Sequence, residues 1–293
     1  MYKFSDTHPK ACAVYFISVM VLSMFCHNPV IVIASLIGSI LFNISLTGFK
    51  RFSKSLWFYI FIFLIVSVTN PLFSHNGNTQ LFFINNNAIT LEAIIYGINL
   101  SLMLINIVIW FSNFNLIFTE EKLLYLLSVF GKKLSLLISS ALRFVPLLKR
   151  QAQKIKNSQK AMGLYSTDNI FLSLKSNIRV ISALIGWALE NAVDTGNSMN
   201  ARGYLLKGRT FYSSYKFSAS DMLLIAIVLF CDILIILGLA GGRLDFSFYP
   251  AVTMADTDVL TIVSEASFLI LSLLPFTIQT GDNLRWKYLK SKI

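Results

Sequence analysis

The sequence predicts an all-α integral membrane protein, with about six transmembrane helices and a cytoplasmic pair of amphipathic helices. Three observations predict it. Hydrophobic residues make up 55% of the 293 and charged residues 13%, with a mean hydropathy of +0.67, beyond what a soluble domain carries. Apolar runs recur at lengths near the ~20 residues a helix needs to cross a bilayer. Lys and Arg gather on one side of the chain so threaded, as cytoplasmic loops require.

The apolar runs lie near Ala11 to Cys26, Val30 to Thr47, Leu56 to Thr69, Ala93 to Phe111, Met222 to Ala240 and Val259 to Pro275. The first and third are short, so either they borrow flanking residues or the hairpin around His27, Asn28 and Pro29 does not fully cross. No small-residue cleavage site follows the first run, and a second run comes almost at once, so a removed signal peptide is not expected. With six spans, Lys3, Lys10, Lys50, Arg51, Lys54, the central basic block and Arg285, Lys287, Lys290 and Lys292 share one face of the membrane. Only Arg243 falls opposite, and the loop from Asn70 to Thr90 holds no Lys or Arg. Both termini and the central block are therefore expected on the cytoplasmic side of a cell membrane. That topology accounts for most of the net charge of +11, so a nucleic-acid partner is not required, while anionic lipid headgroups suit the basic face. The expected division is a bundle of about four spans over residues 1–112, a cytoplasmic region over 113–220, and a two-span hairpin with a basic tail over 221–293.

Within the central region, Phe144, Leu148, Ala152, Ile155, Gln159 and Met162 recur at three- and four-residue steps, on one side of a helix. Lys149, Arg150, Lys154, Lys156 and Lys160 occupy its other faces. A second stripe runs through Ile178, Ile181, Ile185, Ala188, Ala192, Gly196 and Met199. Each helix ends in a small residue, one variable residue and glycine: Ala161-Met162-Gly163 and Ala201-Arg202-Gly203. Glycine just past the last periodic residue is the expected helix stop. A small Ala permits close approach, Gly turns the chain away, and Arg offers a planar fork of donors to a carboxylate. The tip thus has the form of a plug for an acidic groove. In the plainer alternative, Arg202 complements the helix dipole at a solvated end.

The segments Ala141-Leu142-Arg143-Phe144-Val145-Pro146-Leu147-Leu148, Ser158-Gln159-Lys160-Ala161-Met162-Gly163 and Met199-Asn200-Ala201-Arg202-Gly203-Tyr204, followed by Arg209-Thr210, resemble the transmembrane T component of energy-coupling factor transporters. That family includes transmembrane subunits of cobalt, nickel and biotin uptake systems. Thr7-His8-Pro9-Lys10 also resembles, loosely, the family's Asp-Pro-Arg lead-in to the first span. The resemblance implies two crossing coupling helices whose Ala-Arg-Gly ends dock into a pair of ATP-binding-cassette ATPases, or a homodimer, with a separate small membrane protein binding the substrate. Carried over, Ala201, Arg202 and Gly203 match the second coupling motif fully. The first departs from it at Met162, where the family usually has Arg, so one ionic plug becomes an apolar one. Arg143, Pro146 and Arg209 are candidates for coupling support, but Arg143 and Pro146 read first as structural: Pro146 bends or starts the helix where the chain leaves the membrane surface, and Arg143 contacts headgroups, a helix end or the partner. It implies no chemistry and no cofactor in this chain, ATP and Mg²⁺ belonging to the ATPases, and a vitamin or transition-metal ion as cargo.

Asp232 and Glu265 lie inside apolar runs, where ionisable groups are expensive and often functional. They are read as structural or subunit contacts, with a self-sufficient channel or secondary transporter through them as the competing function. A lipid-modifying enzyme is the third class, without a cluster to carry it. Glu92, near a span end, can face water, and Asp221 is expected to cap a helix. Cys12, Cys26 and Cys231, in apolar runs without paired spacing, read as buried hydrophobes. His8, His27 and His75 form no metal-ligand spacing, and the chain lacks GxxxxGK[ST] and GxSxG, so ATP hydrolysis and serine hydrolysis are not expected here.

Overall fold

The computed structural model describes residues 4–74, 76–84, 87–164, 170–204, 215–244, 246–253 and 258–291. After a 3₁₀ turn at Phe4–Asp6 come α1 (Pro9–Phe25), α2 (Pro29–Thr47), α3 (Phe49–Phe73), a hairpin of β1 (Gln80–Ile84) and β2 (Asn87–Thr90), and α4 (Leu91–Ile117). Then follow α5 (Glu120–Phe130), α6 (Lys132–Ala161), α7 (Ile170–Ala201), α8 (Ala219–Ala240) and α9 (Val259–Lys290). The chain is an all-α multi-pass membrane protein. It divides into two compact units, residues 1–123 with 215–293, and residues 124–214.

Among the described residues six helices are long and apolar enough to cross a membrane: α2, α3, α4, α7, α8 and α9. Five coincide with expected spans. The short third run gains length from its flanks and becomes the 25-residue α3. The first run instead forms a helix of 17 residues, about 25 Å long and below the ~30 Å hydrocarbon thickness. The sixth is the 32-residue α7, which the sequence reading places in the cytosolic pair, because a long amphipathic helix can match a span in length and mean apolarity.

In the first unit α1 is the buried element. Tyr15, Phe16 and Val19 are all but inaccessible, and the Tyr15 hydroxyl donates to the Leu271 carbonyl at 3.1 Å. Phe4, Tyr15, Phe16, Phe42 and Trp110 pack edge to face or tilted around it. Helices α2 and α4 are joined by buried polar bonds: Ser35 Oγ accepts from Trp110 Nε1 at 3.0 Å and from Asn106 Nδ2 at 2.8 Å, and Asn43 Nδ2 donates to Asn113 Oδ1 at 2.7 Å. Without water to compete, such bonds and close backbone approach replace the hydrophobic effect in holding membrane helices together. Gly38 supplies the close approach: a Cβ there would lie 2.7 Å from Ser272. Outward, Phe58, Phe61 and Leu64 on α3 and Leu223, Phe230 and Ile233 on α8 are exposed, an apolar belt that requires lipid.

The Asn70 to Thr90 loop carries a small antiparallel hairpin, with Phe82 opposite Ile89. Glu92 is buried at 3% exposure instead of facing water, because its carboxylate accepts from the Thr79 backbone N–H and from Thr79 Oγ1 at 2.8 Å. Asp221 does serve a helix start, as the N3 partner in a capping box whose N-cap is Ser218. Its other oxygen accepts from the His8 N–H at 3.0 Å. Lys122 Nζ donates to the Ser5 carbonyl at 2.5 Å, so the N-terminal segment fastens the starts of both α5 and α8. The three cysteines are free and buried.

Candidate functional site

Helix α6 forms on the predicted stripe. Phe144, Leu148, Ala152 and Ile155 are half-buried and Gln159 is buried, while Arg143, Lys149, Arg150, Lys154 and Lys160 are exposed. Pro146 lies inside the helix, neither starting nor ending it. On α7 the stripe divides. Ala188 and Met199 are half-buried, but Ile178, Ile181 and Ile185 are 54–58% exposed. The sheltered face is instead Ser176, Val180, Leu184, Asn191, Thr195 and Met199, a more polar set at the same helical spacing. One apolar side of α7 is therefore left uncovered within this unit, continued by Phe171, Leu174, Leu189 and Val193.

Both helices end in the same backbone device. At α6, Gly163 takes φ +68°, its N–H donates to the Lys160 carbonyl at 3.0 Å, and Leu164 N–H donates to Gln159 at 2.9 Å. At α7, Gly203 takes φ +74°, with Gly203 to Asn200 at 3.0 Å and Tyr204 to Met199 at 3.1 Å. These are the paired bonds of a Schellman cap, which the left-handed φ reserves for glycine. The residue before each glycine, Met162 or Arg202, is the last whose amide joins the helix ladder, bonding to Ser158 and Ser198 respectively. Each projects from an exposed tip, Met162 at 63% exposure.

The unit also brings together residues that the sequence keeps apart. Arg143 from the first half of α6 and Arg202 from the end of α7 line one cleft of about 570 Å³, with Ser139, Ser140, Asn191, Asp194, Thr195 and Ser198. Among the described residues neither arginine closes an ion pair with Asp194. Two guanidinium groups and several hydroxyls against one carboxylate make a cationic, donor-rich recess, chemically suited to an acidic group from outside. Asp194 and the hydroxyls were not singled out by sequence; the usable signal was the antiparallel register of a helical hairpin, which sets the start of α6 beside the end of α7. Pro146 and the Met162 tip do not line this cleft. Arg209 and Thr210 lie outside the described residues, as does His75.

Asp232 and Glu265 do not converge on shared partners. Ser18 Oγ on α1 donates to Asp232 at 2.5 Å, and Asn28 Nδ2, at the N-cap of α2, donates to Glu265 at 3.2 Å.

Residues 3–212 match the family model described as CbiQ, cobalt transport protein. The chain is 29% identical over 239 residues to an energy-coupling factor transporter transmembrane protein EcfT of Staphylococcus aureus, covering 75% of this chain and 87% of that protein. It is 26% identical over 213 residues to the EcfT of Thermotoga maritima, covering 68% and 76%. The EcfT of Lactococcus lactis is 35% identical over 107 residues, covering 36% and 40%.

Proposed function

This chain belongs to the CbiQ cobalt transport protein family and is a T component of an energy-coupling factor transporter, and we propose that there it is the non-catalytic subunit that transmits ATPase motion to substrate uptake. The 124–214 unit is the coupling element. Its α7 tip, Ala201-Arg202-Gly203, docks into an acidic groove of an ATP-binding-cassette ATPase, with Arg143 beside Arg202 supporting the charge. The α6 tip, Ala161-Met162-Gly163, docks into the second ATPase of the pair, or the second copy of a homodimer. ATP and Mg²⁺ are held by those chains. A separate small membrane protein holds the cargo, a vitamin or a transition-metal ion.

When ATP closes the ATPase pair, the two tips are carried with their grooves, and α6 and α7 pass that motion to the membrane surface that meets the substrate-binding subunit. In this arrangement α1 completes the six spans, α7 stays on the cytosolic side, and both termini are cytosolic in the cell membrane. The Lys and Arg distribution supports that orientation. The observation that carries the reading is the pair of exposed tips with one shared cap, each presenting a single side chain at the same backbone position. No observation favours a self-sufficient transporter through Asp232 and Glu265, whose carboxylates are bonded to separate side chains.

The test is purification of the full-length chain from its own membrane. It is expected to retain ATP-binding-cassette ATPases and a small hydrophobic protein, and Arg202→Glu is expected to release the ATPases. Wild-type retention by that variant, or vectorial transport by the isolated chain, refutes the coupling role.

A further inference from the structure

The two tips share a backbone yet differ in charge, Arg202 on one and Met162 on the other. The fold places a cation beside the neutral one. Arg179, in the third turn of α7, reaches back so that its Nη1 donates to the Leu164 carbonyl at 3.2 Å. Leu164 is the residue whose own N–H completes the α6 cap, two positions beyond Met162. Adjacent Cα atoms are 3.8 Å apart, so Met162 and Leu164 are separated by less than about 8 Å. One N–H of five is spent on that carbonyl, and the exposed guanidinium closes no ion pair among the described residues. Lys160, exposed two residues before Met162 and with an interaction of its own, is the other cation near this tip.

Resting on the docking reading above, we infer that Arg179 supplies the α6 tip with the positive charge its own cap residue lacks, so that an acidic ATPase groove meets Met162 and the Arg179 guanidinium together. The carbonyl bond holds the guanidinium at the tip, Met162 fills the apolar part of the groove, and the free donors face the carboxylate. Both tips then present one arginine, taken from its own helix at α7 and from the neighbouring helix at α6.

The experiment compares Arg179→Gln, Met162→Arg and the double variant in the full-length chain purified with its ATPases, reading ATPase retention against rising salt. Arg179→Gln is expected to weaken retention about tenfold, and Met162→Arg in that background to restore it to within threefold of wild type. In the wild-type background Met162→Arg is expected to change retention less than threefold, because the charge is already present. Thermal unfolding of the isolated chain separates the roles. If Arg179 only caps a carbonyl, Met162→Arg leaves retention unrestored, and the inference is overturned. Undiminished retention by Arg179→Gln overturns it as well. Should Arg179→Gln not fold, Arg179→Lys keeps a donor and a charge; its retention must then stay within threefold of wild type and show the same salt dependence, and a larger loss counts against the inference. Loss of ATPases in Arg202→Glu but not in Arg179→Gln would sink this inference alone, whereas retention in both would sink the docking reading itself.

Discussion

The tips at Met162 and Arg202 are built on the same cap and placed in different surroundings. At α7 the cap residue is charged and shares a cleft with Arg143 and Asp194. At α6 it is apolar and outside that cleft, with Arg179 bonded two residues away. The backbone of a helix end is set by a glycine and five local residues, so it repeats readily. The chemistry offered at that end is set by which helix packs beside it, and so can diverge.

The strongest way to break the comparison is to remove the side chains in parallel. Arg202→Ala is expected to cost about 2 to 5 kcal/mol of ATPase binding, the scale for removing one partner of a buried interfacial charge pair. Met162→Ala is expected to cost less, about 1 to 2 kcal/mol, as lost packing of a flexible apolar chain. Titration of ATPase onto the purified variants checks both, and equal losses would show that the tips work alike. Next come the caps. Gly203→Ala and Gly163→Ala each force a side chain into left-handed backbone, at about 1 to 2 kcal/mol. Faster amide exchange at Tyr204 or Leu164 should report it, and the two caps should respond alike, since both close the same pair of bonds.

Arg143→Gln probes whether the cleft sharpens the α7 tip. A loss of about 1 kcal/mol in ATPase binding, with no change in Met162→Ala's effect, is expected for a charge that assists without direct docking. The smallest effect lies away from both tips. Burial lowers the His8 pKa from its ordinary 6.5, while the Asp221 charge raises it and Lys10 lowers it. The neutral ring is the one used, because Nδ1 accepts the Lys10 N–H at 3.3 Å. With the folded value depressed, this contribution to stability is present above 6.5 and fades as pH falls through the folded value. Melting measured from about pH 8 down to pH 5 should show a drop on the acidic side, and His8→Asn, which keeps an N-cap acceptor, should flatten it.

The helices of the bundle, the α6 stripe and both glycine stops were legible from residue order, while several contacts were not. Glu92 reads as a solvated span end, yet the Thr79 turn wraps it. The isoleucines of α7 read as a packing stripe, yet its sheltered face mixes Ser176, Asn191 and Thr195 with Val180, Leu184 and Met199. Arg179 carries no mark in sequence that ties it to Leu164, because the tie depends on where α7 turns back against α6.

From sequence alone came the membrane class, the placement of most spans, the basic face and the two capped tips, because hydropathy, helical period and a glycine stop act over a few neighbouring residues. Tertiary structure alone decided which face of α7 is covered, that Arg143 meets Arg202 in one cleft, and that Arg179 reaches the neutral tip. Those depend on the register at which distant helices dock, and docking is settled by the sum of many weak packing and polar contacts that no short segment encodes.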